Sequence, residues 1–253
     1  PWAACTNALF NIVQPFDFGQ TIPTIQFLDG TYTSASGCFT QWSSVGGGGP
    51  GSAINILGNV TTPSSVVFDG GGGDAFSIQA PGTFNIGGFT FKNLNSAITT
   101  QVNGVTVNIA GPITFGTGNG FDFDIEGGTV ECGEGMAVQT ITVTGTSSQF
   151  AYLSGSHIDF NGCTINWSGG PTFTFAILNM DTHAVAQLRS GNFVGTPTGV
   201  QFFISTGATL RYTDSVTGFL LTPGRFPGTL GSGVLYGGSF NNISTPFMPF
   251  SKL

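Results

Sequence analysis

The chain has 253 residues, of which 5 are Lys or Arg and 12 are Asp or Glu, giving a formal net charge of −7 with only 7% charged residues. That balance excludes the phosphate-neutralising surface a nucleic acid requires and any attraction to an anionic membrane, and no apolar run approaches the ~18 to 20 residues of a spanning helix. With 41 Gly, 25 Phe and so few charges, the composition favours tight turns around an aromatic interior over amphipathic helices or disorder.

Residues 1–20 are expected to cap the fold. Trp2, Ala3, Ala4, Ala8, Leu9, Phe10, Ile12 and Val13 form the one stretch with passable helical spacing. No basic and apolar leader is legible there, so a processed or partial chain is expected. Residues 24–28 read as the first strand, followed by a turn at Asp29-Gly30. Residues 53–57 and 65–68 read as strands flanking a turn at 58–63. The glycine runs 46–51 and 70–73 are loops; neither leads into Lys-Ser/Thr or a helix start, so neither reads as a phosphate cradle.

From Phe76 to about Tyr212 the chain repeats. Residues 151–169, AYLSGSHIDFNGCTINWSG, are strand, glycine turn, strand, glycine turn and strand. Ile158 and Phe160 alternate with His157 and Asp159, and Cys163, Ile165 and Trp167 alternate with Thr164 and Asn166, the period-2 pattern of half-buried strands. First turns at Gly82, Gly104, Gly127, Gly155, about His183 and Gly207 are spaced 22, 23, 28, about 28 and about 24 residues apart. Repeats of that length without helical content must stack to bury their apolar faces. The expected fold is therefore an all-β solenoid forming one domain over 1–253, with coils over 21–212. A Pro- and Gly-rich C-terminal coil and tail follow over 213–253, with a final strand in 234–240.

Cys5, Cys38, Cys132 and Cys163 lack the short paired spacings of a zinc site or redox pair, so no metal is read from them. Cys132 and Cys163 fall on apolar strand positions and are expected in the core. A Cys5 to Cys38 disulfide stays open.

Three groups of residues carry candidate chemistry. In FDFDIE, residues 121–126, strict alternation turns Phe121, Phe123 and Ile125 inward and sets Asp122, Asp124 and Glu126 on one outer face. Acids at i and i+2 lie ~6.5 to 7 Å apart, within the span of acid–base pairs in inverting glycosidases. The same triplet would suit a bound cation such as Ca²⁺, or a plain solvated face. His157 and Asp159 stand 24 residues before Asp181 and His183, so coils of that length would gather all four into a metal-binding or proton-shuttling cluster, or a plain polar ladder. Arg189 and Arg211, 22 apart, would stack as a basic spot for a carboxylate-bearing sugar, or pair with Asp181 and Asp214. No nucleophile elbow or zinc-protease motif is present, and no cofactor is expected. Thr-x-Thr pairs at Thr31/Thr33, Thr142/Thr144 and Thr172/Thr174 raise an ice-binding or adhesive alternative. They do not recur once per coil, so no flat threonine ladder is expected.

IQFLDGTYT at 25–33, INILGNVTTPSSVVF at 54–68, DAFSI at 74–78, ITVTGT at 141–146 and FAILNM at 175–180 occur in that order. Together they resemble a family of bacteriophage and prophage right-handed β-helix tail proteins, and the closing LYGGSF is similar to that family's glycine-rich end. The likeness covers about residues 2–240. It implies a single-stranded right-handed parallel β-helix of the pectate-lyase type, a homotrimer on a virion tail or surface appendage, and other tail proteins as neighbours. It also implies contact with host-surface polysaccharide, either bound or, in the alternative, cleaved by a hydrolase or lyase. Its motifs are structural and assign no catalytic residue. GRFP at 224–227 has a superficial likeness to pectin methylesterases, but their paired Gln and Asp motifs are not evident, and that activity is not carried over.

Overall fold

A computed structural model describes residues 22–33, 38–40, 53–79, 81–132, 138–161, 163–188, 192–195, 197–199, 202–205, 207–212, 229–230 and 234–236. Among the described residues, successive strands are dealt in turn to three sheets of nine, seven and eight strands, here called A, B and C. All the strand pairs are parallel, for example Thr24–Gln26 with Ala53–Leu57 in sheet A and Asn119–Ile125 with Ser147–Ser154 in sheet C. This is the parallel β-helix expected, in the right-handed sense that parallel crossovers adopt. Helical structure among the described residues is confined to a 3-10 turn, Pro63–Ser65. The capping helix expected over 1–20 lies outside the described residues, as do Arg189, Asp214 and the glycine run 46–51.

Coil length follows from the register. Along sheet A the file Thr24, Asn55, Asn85, Asn108, Glu131, Asp159, Gln187, Arg211 advances by 31, 30, 23, 23, 28, 28 and 24 residues. The later steps match the glycine spacing. The first two coils are longer than that spacing.

Alternation explains the interior. In sheet A, Ile54, Phe84, Val107, Val130, Ile158, Ala186 and Leu210 stack directly over one another, all fully buried. In sheet B the matching file is Tyr32, Phe68, Phe91, Phe115, Val143 and Trp167. Phe68 and Phe91 stack with ring centres 5.7 Å apart and planes nearly parallel, and Phe91 and Phe115 repeat that spacing. Parallel in-register stacking places identical ring types one strand spacing apart, so an aromatic at one coil favours an aromatic at the next. Cys132 and Cys163 are buried free thiols, as expected.

The outer faces carry polar files. Asn55 donates to Thr24 Oγ1 at 3.1 Å, Asn85 Nδ2 to Asn55 Oδ1 at 2.8 Å, and Asn108 Nδ2 to Asn85 Oδ1 at 2.9 Å, a ladder along sheet A. On sheet B, Thr90, Thr114 and Thr142 stack in one file. On sheet A, Thr83, Thr106 and Thr129 form a second such file. This departs from the expectation of no threonine ladder: the Thr-x-Thr pairs do not repeat, but two separate files of three do. They end at Asn166 and His157, on different sheets, and each is too short and narrow for a regular lattice-matching surface.

One turn is fixed by glycine. Gly88 has φ +82°, and a Cβ there would meet the backbone of Gly58 and Asn59 at 2.8 Å. Gly88→Ala is therefore expected to cost about 2 kcal/mol or more, from left-handed strain plus backbone displacement. A thermal melt should read this as a Tm lower by about 5 °C.

Candidate functional site

The outer face of sheet C holds the richest side-chain chemistry. Its central strands are Ser96–Thr100, Asn119–Ile125, Ser147–Ser154 and Phe173–Asp181. Each contains two consecutive inward residues, Ala97-Ile98, Asp122-Phe123, Phe150-Ala151 and Ile177-Leu178, aligned by the register and all buried. Two adjacent residues facing the same way break the alternation, as a bulge does. Because the break is stacked through four coils, it forms a shared corner.

This corner corrects the reading of FDFDIE. Asp122 points into the core and is 0% exposed, in line with Ala97, Phe150 and Ile177. Phe121 is only half-buried, and its ring lies 6.1 Å from that of the outward Tyr152. Asp122 Oδ1 accepts from Asn119 Nδ2 at 3.0 Å and Ser147 Oγ at 3.1 Å, while Oδ2 has no partner among the described residues. Burial pushes its carboxyl up to about 8 against the lowering effect of those two donors. Asp122 is a core group and leaves the list of candidate acids.

Asp124 and Glu126 do face outward. Asp124 stands in the file Ser77, Thr99, Asp124, Tyr152, Asn179, Phe203. Its Oδ2 accepts from Ser96 Oγ at 3.3 Å. Partial burial, then the charges of Glu126 and Asp74, raise its carboxyl to about 6, with the Ser96 hydrogen bond opposing. Asp74 is held nearby by Asn95 Nδ2 at 2.9 Å and the Ser96 amide at 3.1 Å. On the next strand, Tyr152 Oη donates to Asp181 Oδ2 of the strand beyond at 3.1 Å, and burial with the Asp181 and Glu126 carboxylates raises the phenol. Phe175, exposed, and Phe203 form a second ring pair at 6.1 Å.

Four buried polar atoms on this side lack partners among the described residues: Thr99 Oγ1, Asp124 Oδ1, Gln149 Oε1 and Asp181 Oδ1. They span three strand spacings, roughly 14 Å. Thr99 is 1% and Gln149 7% exposed.

The second predicted group does not assemble. The coil step there is 28 residues, so His157 lies opposite Val185 and Asp159 opposite Gln187 on sheet A, whereas Asp181 pairs with Ser154 on sheet C. His157 Nε2 contacts Gln187 Nε2 at 2.8 Å, and Asp159 Oδ1 accepts from the Asn161 amide at 2.8 Å, closing its turn. His183 sits in a turn at φ +63° with its ring against Gly207. The 24-residue spacing failed because the long Phe173–Asp181 strand lengthens the coil. Arg211 is opposite Gln187 and Asp181 is engaged by Tyr152, while the stack expected between Arg211 and Arg189 lies outside the described residues. No group of three or more His, Cys, Asp or Glu able to hold a metal ion occurs among the described residues.

Sequence reasoning missed Thr99, Phe121, Gln149, Tyr152, Phe175 and Phe203 as members of a face. The available signal was repeat alignment: setting residues 119–125 against 147–153 puts Asp122 in the column of Phe150, which exposes the corner. Comparison with known proteins finds no matching family model, no similar curated protein and no similar solved structure.

Proposed function

We propose that this chain is a structural and receptor-binding component of a phage tail or related virion appendage, and that it holds host-surface polysaccharide on the outer face of sheet C. The observation that carries this reading is one rigid wall combining two ring pairs, Phe121–Tyr152 and Phe175–Phe203, with carboxylate and amide oxygens that lack partners among the described residues. Sugars suit that combination: their apolar ring faces lie on aromatic side chains while their hydroxyl groups donate to fixed acceptors. The resemblance of the strand motifs to phage tail β-helices supports the virion setting, the homotrimer and the neighbouring tail proteins.

A panel of bacterial surface polysaccharides tested by calorimetry, with a light-scattering mass measurement, checks this. Binding by wild type, weakened about tenfold or more in Tyr152→Ala, and a mass of three chains are the expected results. A monomer that binds no glycan removes the reading.

A polysaccharide hydrolase or lyase is the second reading, favoured by Asp124. A carboxyl raised to about 6 suits a general acid, and Glu126, two residues on, stands at the ~7 Å of a partner base. Under this reading new reducing ends appear on the bound glycan, and Asp124→Asn lowers their release by about 100-fold while binding is kept. Binding without release leaves a receptor-binding protein.

A further inference from the structure

The polar wall of sheet C also bears on which glycan it takes, an argument that rests on the glycan-binding reading above. We infer that the ligand is an amine-bearing polysaccharide, a chain of amino sugars with free ammonium groups, seated across the four central strands of sheet C.

Charge comes first. Asp74, Asp124, Glu126 and Asp181 line this side, and the strands of sheet C contain no Lys, Arg or His. Uronate, sialate or phosphate polymers meet only repulsion there. A neutral chain would cover the carboxylates without a counter-charge, which is costly in a partly desolvated setting. An ammonium group supplies the charge and three donors together.

Hydrogen-bonding polarity points the same way. Of the four buried polar atoms on this side that lack partners among the described residues, Asp124 Oδ1, Gln149 Oε1 and Asp181 Oδ1 only accept, and Thr99 Oγ1 does either. The occupant must therefore be rich in donors. Gln149 and Thr99 are more than nine-tenths buried, so these atoms are part of the wall's floor. The rings of Phe121 and Tyr152 add faces that attract a cation.

Spacing separates a polyamine from a metal ion. Glu126 aligns with Ser154 and Ser154 with Asp181, so the outer two are two strand spacings, roughly 10 Å, apart. A calcium ion needs its oxygens within ~2.3 to 2.6 Å of one point. Dispersed carboxylates match a chain of dispersed cations.

The test is calorimetry on the full chain with three probes: oligomers of 2-amino-2-deoxyglucose, the same oligomers after N-acetylation, and oligolysine of equal charge. The amino form is expected to bind at least about tenfold tighter than the acetylated form, and Glu126→Gln to weaken it by about tenfold, one charge-assisted hydrogen bond. Glu126 is exposed, so this variant should melt like wild type. Asp181→Asn is the second variant, with the same expected loss. Affinity should rise as pH passes upward through about 6, where Asp124 loses its proton, and fall again at higher pH as the ammonium groups of the sugar lose theirs. The groups facing Asp124 are Ser96 from the preceding coil, Asp74 from the coil before that, Glu126 at the end of its own strand and Tyr152 on the next strand. Equal or tighter binding of the acetylated form overturns the amine inference and leaves glycan binding standing. Oligolysine binding as tightly as the amino sugar overturns it in favour of general polycation attraction. Binding of neither sugar overturns the amine inference, and the glycan-binding reading then stands or falls on the panel of surface polysaccharides.

Discussion

Asp122→Asn is expected to stabilise the protein at neutral pH and to remove most of a decline in stability between about pH 4 and pH 8. The native carboxyl is fully buried, and burial pushes it from 3.8 up to about 8. In that window the folded chain holds a proton that the unfolded chain has lost. Stability is therefore fully present below about pH 4 and falls as pH rises, flattening above about 8. At ~1.4 kcal/mol per unit, the cost at pH 7 is on the order of 4 kcal/mol. Asn reproduces the neutral acid: its carbonyl would still accept from Asn119 and Ser147. Denaturant midpoints at pH 4, 6 and 8 decide the matter. The variant should retain only a shallow slope below pH 6, left by Asp124. Parallel slopes for wild type and variant would mean that Asp122 does not titrate in this range.

Phe115→Ala is expected to cost about 3 to 5 kcal/mol, seen as a Tm lower by about 10 °C. Phe115 is fully buried, stacks on Phe91 at 5.7 Å, and meets the edges of Phe123 at 5.1 Å and Phe150 at 6.2 Å. Those partners come from sheets B and C and from three successive coils, so the cavity would sit where the sheets converge and could not close by a local shift. Stacked repeats depend on their neighbours, so the loss should reach both flanking coils. Thr114→Ala, one residue away on the outer side of the same strand, should change stability by less than about 0.5 kcal/mol. Similar losses in the two variants would mean that the strand itself, and not the aromatic interior, limits stability.

Much of this architecture is legible in one coil. Residues 151–169 contain the three strands and two turns that recur, and the period-2 pattern at 157–160 and 163–167 names the buried set, including Ile158, Ile165 and Trp167. These signals are local: a strand must alternate, and a tight turn needs glycine, whatever the rest of the chain does. The candidate site was legible only in part. Asp124 and Glu126 were found on the outer face, but Asp122 was placed on the wrong side and the His157, Asp159, Asp181 and His183 cluster was placed on one face where the fold uses two. Both errors concern relations between coils.

The sequence by itself determined that this chain stacks as a parallel solenoid with an aromatic interior, because alternation and turn chemistry act within a few residues. Only the tertiary structure decided which side chains share a wall. The register depends on the full length of each intervening coil, and the inward step at Asp122-Phe123 is one rung of a corner shared by four strands. Phe121, Tyr152, Gln149 and Thr99 are up to 53 residues apart in the chain, from 99 to 152, and meet because in-register stacking brings successive coils to ~4.8 Å.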